Sequence, residues 1–124
     1  VNTVESSMVS YSLTGISSIY FGCDADDLDE CMRLVRAELD HFIDIPLTDD
    51  ELSIAKQLIK GQIGIGCDNR ENLALDFGKG FLHYGGKKDI SALYRNIDAI
   101  TAEEVQAVAH ELFPEERLTK LIYI

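Results

Sequence analysis

Tryptophan is absent from this 124-residue chain, and cysteine and proline are scarce. The three cysteines, Cys23, Cys31 and Cys67, are an odd number and have no C-x-x-C spacing. This pattern argues against a disulfide framework, so we expect all three to be free thiols. Free thiols are typical of a reducing compartment. Since the start of the chain also lacks a basic segment followed by an apolar one, we expect a cytoplasmic rather than an exported protein.

Basic residues are also few, with 11 lysines and arginines against 22 acidic residues and a net charge of −11. A surface of this sign repels phosphate, which argues against nucleic acid and anionic membranes as partners. No apolar run approaches the roughly 18 residues of a membrane-spanning helix. The length suits one domain with its own core, and we predict that residues 1–124 form a single domain.

Two short segments have β character, and helical patterns follow them. Residues 1–11 and 16–23, separated by a turn at residues 12–15, predict a hairpin lying deep in a sheet. Five helical segments come next. The first is capped by Asp24 and runs to about Ile43, and the others lie at residues 53–67, 69–85, 89–98 and 101–112. Residues 118–124 alternate in the manner of a last strand.

Helix-capping residues punctuate this series. Thr48 and Glu51 fit a capping box, in which the hydroxyl and the carboxylate each satisfy a free backbone N–H, and Thr101 and Glu104 repeat it. Asp89 is a further expected cap, and Gly85 an expected helix stop. We predict a two-layer α+β fold, in which helices pack on one face of an antiparallel sheet, in the order β-β-α-α-α-α-β.

Apolar positions predict which helix faces are buried. Three stripes with helical spacing are expected to face inward, and Gly64 and Gly66 are expected to permit close packing or a bend. The stripes comprise Leu28, Cys31, Met32, Val35, Leu39 and Phe42; Leu52, Ala55, Leu58, Ile59 and Ile63; and Leu73, Ala74, Phe77, Phe81 and Leu82.

No catalytic, cofactor-binding or metal-binding residue can be assigned from the motifs. His110-Glu111 begins an H-E-x-x-H zinc motif, but Pro114 stands where its second histidine should be. We interpret His41, His83 and His110 as surface or helix-end residues. The acidic run of residues 24–30 lacks the ligand spacing of a calcium loop and is better explained as favourable charge at a helix start.

The wording of several segments resembles the pitrilysin/insulinase-like zinc metallopeptidases, including the mitochondrial processing peptidases. The best pieces are "SYSLTGISSIYFGCDADDLDECMRLVRAEL", "PLTDDELSIAKQLIKGQ" and "DAITAEEVQAVAHELFPEERLTKLIYI". The chain is most similar to the C-terminal, non-catalytic domain of these proteins, and the resemblance implies a partial metallopeptidase half-domain. Because the chain opens in strand-like sequence without methionine, we expect a fragment of a longer protein.

The resemblance implies a division of labour between two domains. Zinc is expected on an H-x-x-E-H motif in the N-terminal domain of the parent protein, which would be a zinc-dependent metallopeptidase. This chain would close the chamber and help to bind a peptide or protein substrate. The partners implied are that substrate, the catalytic N-terminal domain and a second copy of the fragment, since uncovered sheet edges recruit strands.

Two alternatives remain open at this stage. In the family, a tyrosine at the head of the first hairpin strand helps to position substrate, and the register of "TVESS" places Asn2 there. This departure allows a structural or assembly domain of an inactive peptidase homologue. A stand-alone enzyme of unknown type is the third hypothesis.

Overall fold

A computed structural model of the chain describes residues 1–86 and 89–123. Two antiparallel strands open the chain, β1 (Thr3–Ser10) and β2 (Gly15–Gly22). Five helices follow: α1 (Leu28–Asp44), α2 (Asp49–Asp68), α3 (Arg70–Tyr84), α4 (Ile90–Ala99) and α5 (Ala102–Leu112). The α+β class predicted from the sequence is confirmed. The five helices correspond to the five predicted helical segments, whereas the predicted order β-β-α-α-α-α-β contains only four.

The chain divides into two compact units, which we describe separately. The first unit contains Val1–Asp44 and the chain from Ala109 onward, and the second contains Ile45–Val108. Across the described residues only four hydrophobic side chains are buried: Cys31, Leu39, Ile97 and Ala109. This is a smaller core than the length suggests. The single-domain interpretation stays a prediction.

In the first unit, α1 buries one stripe and holds the segment that follows α5. All six residues of its predicted stripe are buried or half-buried, as expected from their spacing. Arg36 Nη1 donates a hydrogen bond of 2.8 Å to the carbonyl oxygen of Phe113. The rings of Phe42 and Phe113 meet edge to face, with centroids 6.4 Å apart. These contacts tie α1 to the end of α5.

In the second unit, α2 packs against both α3 and α4. Lys56 Nζ donates to the carbonyl oxygen of Asp98 at 2.8 Å, and Lys60 Nζ lies 2.6 Å from Asp98 Oδ1. Tyr94 Oη donates to the carbonyl oxygen of Lys60 at 3.4 Å. The two lysines satisfy polar groups at the C-terminal end of α4, where unpaired carbonyls and the helix dipole attract cations.

The predicted helix caps are largely confirmed. Thr48 and Glu51 form the complete capping box of α2, which therefore begins at Asp49 rather than Ser53. Thr101 and Glu104 form the corresponding pair of bonds at α5. The side chain of Asp89 caps α4. Gly85 ends α3 in the left-handed conformation, with φ 68°, a region that glycine enters without steric cost.

Asp24 does not cap a helix with its side chain, contrary to the prediction. The backbone makes a 3₁₀ turn at Ala25–Asp27, closed by a hydrogen bond from Asp27 N to Asp24 O, and α1 begins only at Leu28. The backbone N–H of Asp27 is thus satisfied by the carbonyl of Asp24, whereas the prediction expected the Asp24 carboxylate to accept a hydrogen bond from the helix start.

The predicted last strand is absent from the described residues, and Ile124 lies outside them. Residues 118–123 have no strand assignment, and a 3₁₀ turn at Glu115–Arg117 precedes them. The side chains of Leu121, Ile122 and Tyr123 are exposed. An alternating pattern becomes a strand only where a neighbouring edge can pair with it, and the only sheet in the described chain is the hairpin.

The burial predicted for α3 and for part of α2 is wrong for this chain. Leu73, Phe77, Phe81 and Leu82 are 41%, 46%, 54% and 85% exposed. Leu58 of α2 is 62% exposed. Spacing identifies a hydrophobic stripe, but it does not supply the element that would cover the stripe.

Helix α2 is continuous through Gly64 and Gly66 as far as Asp68. A Cβ atom at Gly64 would lie 3.8 Å from Tyr94 Oη, an ordinary van der Waals distance. Around Gly66 the space within 4 Å is open. Close packing therefore requires glycine at neither position.

Candidate peptide-binding surface

The hairpin is an exposed element of the first unit. All residues of β1 are exposed, and only the last two residues of β2 are half-buried. Both faces are therefore open to solvent over most of their length, and the prediction that this hairpin lies deep in a sheet is wrong for the described chain. Because the sheet has two strands, each strand has one edge whose backbone groups lack a neighbouring strand.

Apolar side chains lie on both faces of the hairpin. The register pairs Val4 with Phe21 and Ser6 with Ile19, so that these four share one face. On the opposite face, Glu5 pairs with Tyr20 and Val9 pairs with Ile16. Among these residues, Val4 is 65% exposed and Tyr20 is 60% exposed. Such side chains could contact alternate residues of an added strand.

A compact turn fixes the register of the two strands. Tyr11 N donates to Thr14 O at 2.8 Å, which closes the loop between Ser10 and Gly15. A Cβ atom at Gly15 would lie 3.2 Å from the carbonyl oxygen of Val9. Glycine there lets the strands approach without displacing backbone. The hairpin thus presents its edges in one defined arrangement.

The second unit contains an apolar pocket of about 310 Å³. Residues of α2, α3 and the start of α4 line it: Ile59, Gln62, Ile63, Gly66, Cys67, Leu73, Asp76, Phe77 and Ile90. The signal for it in the sequence is the pair of apolar stripes on α2 and α3. The sequence did not predict this pocket, because both stripes were expected to be buried in a close-packed core.

The histidines do not assemble a metal site. His41, His83 and His110 lie in the last turns of three different helices, where cationic side chains complement the helix dipole. Within residues 1–86 and 89–123, no group of three or more histidine, cysteine, aspartate or glutamate side chains could hold a metal ion. The residues described here therefore do not fit the zinc that the resemblance implies for the parent protein.

The acidic run of residues 24–30 lies at helix starts, where the sequence analysis expected these charges to be favourable. Asp26 and Asp27 are in the 3₁₀ turn, and Asp29 and Glu30 are in the first turn of α1. Arg33 Nε donates to Glu30 Oε2 at 2.8 Å, and this hydrogen bond lowers the pKa of the Glu30 carboxyl. These carboxylates are accounted for by local helix electrostatics.

No helix within the described ranges is long and apolar enough to cross a membrane.

Comparison with known proteins adds a family assignment for part of the chain. Residues 1–59 match the family described as "Peptidase M16 inactive domain". An uncharacterized zinc protease of Streptomyces coelicolor is 29% identical over 98 residues, covering 79% of this chain and 21% of that protein. The beta subunit of the mitochondrial-processing peptidase of Blastocladiella emersonii is 30% identical over 118 residues, covering 94% of this chain and 25% of that protein.

A third relative, the zinc protease YmxG of Bacillus subtilis, is 26% identical over 113 residues, covering 91% of this chain and 28% of that protein. The chain thus spans between about a fifth and just over a quarter of the length of these relatives. These matches confirm the resemblance read in the sequence, which is to the C-terminal, inactive domain of M16-type peptidases.

Proposed function

We propose that this chain is a non-catalytic domain of a zinc metallopeptidase that helps to close the chamber and to bind peptide. The observation that carries the proposal is the match of residues 1–59 to the inactive domain of peptidase M16. The zinc would be held by the N-terminal domain of the parent protein, since several relatives are named zinc proteases. Such a domain supplies binding and exclusion of water without supplying reactive groups.

The hairpin is the surface that suits peptide binding. An extended peptide can add to an open strand edge, where its backbone hydrogen-bonds to the strand and its alternate side chains contact the exposed face. Tyr20 and Val9 lie on the same face of the hairpin, and both are exposed. They are the side chains that an added peptide strand would contact.

The net charge of −11 indicates which peptides would associate fastest. An acidic surface attracts basic peptides from a distance, and salt screens this attraction. Association of a basic peptide should therefore slow as salt is added, while association of an acidic peptide should not slow in the same way. An equal salt response for the two peptides would remove the steering argument.

Substitutions on the hairpin face test peptide binding directly. Tyr20→Ala and Val9→Ala should each weaken binding of a labelled extended peptide by about 1 kcal/mol, a several-fold rise in Kd. Phe77→Ala in the second unit is the control, because Phe77 is also partly exposed (46%) but lies outside the hairpin. Unchanged binding in both hairpin variants, measured by fluorescence anisotropy, would refute the hairpin as the peptide surface.

A second function is favoured by Asn2, which replaces the tyrosine expected by resemblance at the head of β1. The chain would then be a structural or assembly domain of an inactive peptidase homologue, pairing its open edges with another polypeptide or a second copy. An intact H-x-x-E-H motif in the N-terminal part of the parent protein would dispose of this alternative. Association through the hairpin with no affinity for peptide would support it.

A further inference from the structure

The pocket between α2, α3 and the start of α4 combines apolar walls with a single charged side chain. Its walls are mainly isoleucine, leucine and phenylalanine side chains, among them Ile63, which is half-buried. Asp76 and Gln62 also line the pocket, and both are exposed. Among the described lining residues, Asp76 is the only charged one. The pocket therefore offers apolar surface together with a carboxylate that stays in contact with water.

The size and the walls of the pocket suit a small apolar group. Its volume of about 310 Å³ is at the lower end of the range for small-molecule sites, about 300–1,000 Å³. Leu73 and Phe77 in its walls are 41% and 46% exposed, so a ligand can enter from solvent. Water against apolar walls makes few hydrogen bonds, and an apolar group that displaces it gains free energy. The walls therefore favour an aromatic or branched aliphatic group.

The carboxylate of Asp76 favours a cationic ligand. Asp76 forms no ion pair within the part of the chain that the structure describes, so its carboxylate can pair with a cation from solution. The net charge of −11 adds a long-range attraction for cations and a repulsion of anions. We propose that this pocket is a binding site for small hydrophobic ammonium ions, which place an apolar body between α2 and α3 and the ammonium group beside Asp76.

Alkylation of Cys67 reports on occupancy, because this residue lines the pocket and its thiol is free. The probe is the phenethylammonium ion, which should slow alkylation of Cys67 by iodoacetamide in the folded chain in a saturable manner. Cys23 and Cys31 are in the first unit and should react at unchanged rates. Trypsin leaves them in the peptide of residues 1–33 and leaves Cys67 in that of residues 61–70, so mass spectrometry follows both. Absence of saturable protection of Cys67 would overturn the proposal.

A neutral and an anionic relative of the probe separate the role of charge from that of the apolar walls. Half-saturation should require about two- to five-fold less phenethylammonium than 2-phenylethanol, as expected for an exposed ion pair. The anion 3-phenylpropionate should bind more weakly than either. In Asp76→Asn the advantage of phenethylammonium over the alcohol should disappear, while the alcohol binds as before. Asp68→Asn is the matched control, because Asp68 is exposed but does not line the pocket, and it should keep the advantage.

Filling the pocket tests where the probe binds. Gly66 lines the pocket, and a Cβ atom there would meet no atom within 4 Å, so Gly66→Leu has room to occupy part of this space. Gly61→Leu is the control, since Gly61 is in the same helix with equally open surroundings and does not line the pocket. Both variants gain helix propensity, so neither should unfold. Titration calorimetry should show phenethylammonium binding to Gly61→Leu and not to Gly66→Leu. Equal binding to the two variants, or equal half-saturation by all three probes in the parent chain, would overturn the proposal.

Discussion

Truncation of Leu39 tests whether the first unit depends on the stripe of α1. The side chain of Leu39 is 6% exposed, whereas that of Leu34, on the same helix, is 53% exposed. Leu39→Ala should lower the free energy of unfolding by about 2–5 kcal/mol, because it removes buried methyl groups and leaves a cavity. Leu34→Ala should change it by no more than about 0.5 kcal/mol. For a typical domain stability of about 5–15 kcal/mol, the first loss is a large fraction.

The assay is urea unfolding followed by far-UV circular dichroism, in which a change of midpoint at constant slope reports stability. If Leu39→Ala is too unstable to fold, Leu39→Met provides the graded case, since a swap that conserves volume costs less than about 1.5 kcal/mol. Equal effects of the Leu39 and Leu34 truncations would refute the reasoning, because they would show that burial along α1 does not determine its contribution.

Three further predictions concern helix ends and surface charge. Thr48→Ala should cost about 1 kcal/mol of unfolding free energy by opening the capping box of α2, while Ser53→Ala, inside the same helix, should cost nothing; equal costs would contradict the capping role. Gly85→Ala should cost about 1 kcal/mol in urea unfolding because its φ is 68°, and Gly86→Ala should cost less. Glu30→Gln should be slightly destabilising at neutral pH in thermal unfolding. Because the Glu30 pKa is lowered in the folded state, this difference is present above the unfolded pKa and should vanish as the pH falls through the folded pKa; a difference that persists in acid or survives high salt would exclude the ion pair as its cause.

Helix ends were the most predictable part of the fold. A capping box or a left-handed glycine is a local interaction between residues a few positions apart, so the sequence contains all of its partners. Thr48, Asp89 and Gly85 accordingly lie where their motifs place them. Asp24 is the exception, because the residues that follow it form a 3₁₀ turn and its side chain makes no capping hydrogen bond.

Burial was less predictable, because it depends on elements that the pattern does not specify. The stripe of α1 is covered, whereas Phe77 and Leu82 of α3 have the same helical spacing and remain exposed. The segment with Leu121 and Tyr123 has a strand-like alternation but has no paired edge in the described chain. Periodicity identifies a surface that favours a partner, and tertiary structure decides whether one is present.

The candidate surface was only partly predictable. The strands and their turn follow from composition, and the resemblance to metallopeptidases supplied the expectation of peptide binding. The pairing of Tyr20 with Glu5 and of Val9 with Ile16 required the register, because a shift of one residue would move each side chain to the other face.

Hydrogen exchange of the hairpin amides, measured with and without a bound basic peptide, tests the central claim most directly. If the chain holds peptide by strand addition and contributes no bond-breaking groups, exchange within Thr3–Ser10 or Gly15–Gly22 should slow, and the peptide should be recovered intact from the purified chain. Unchanged exchange at saturating peptide, or cleavage of the peptide by the chain alone, would contradict the account.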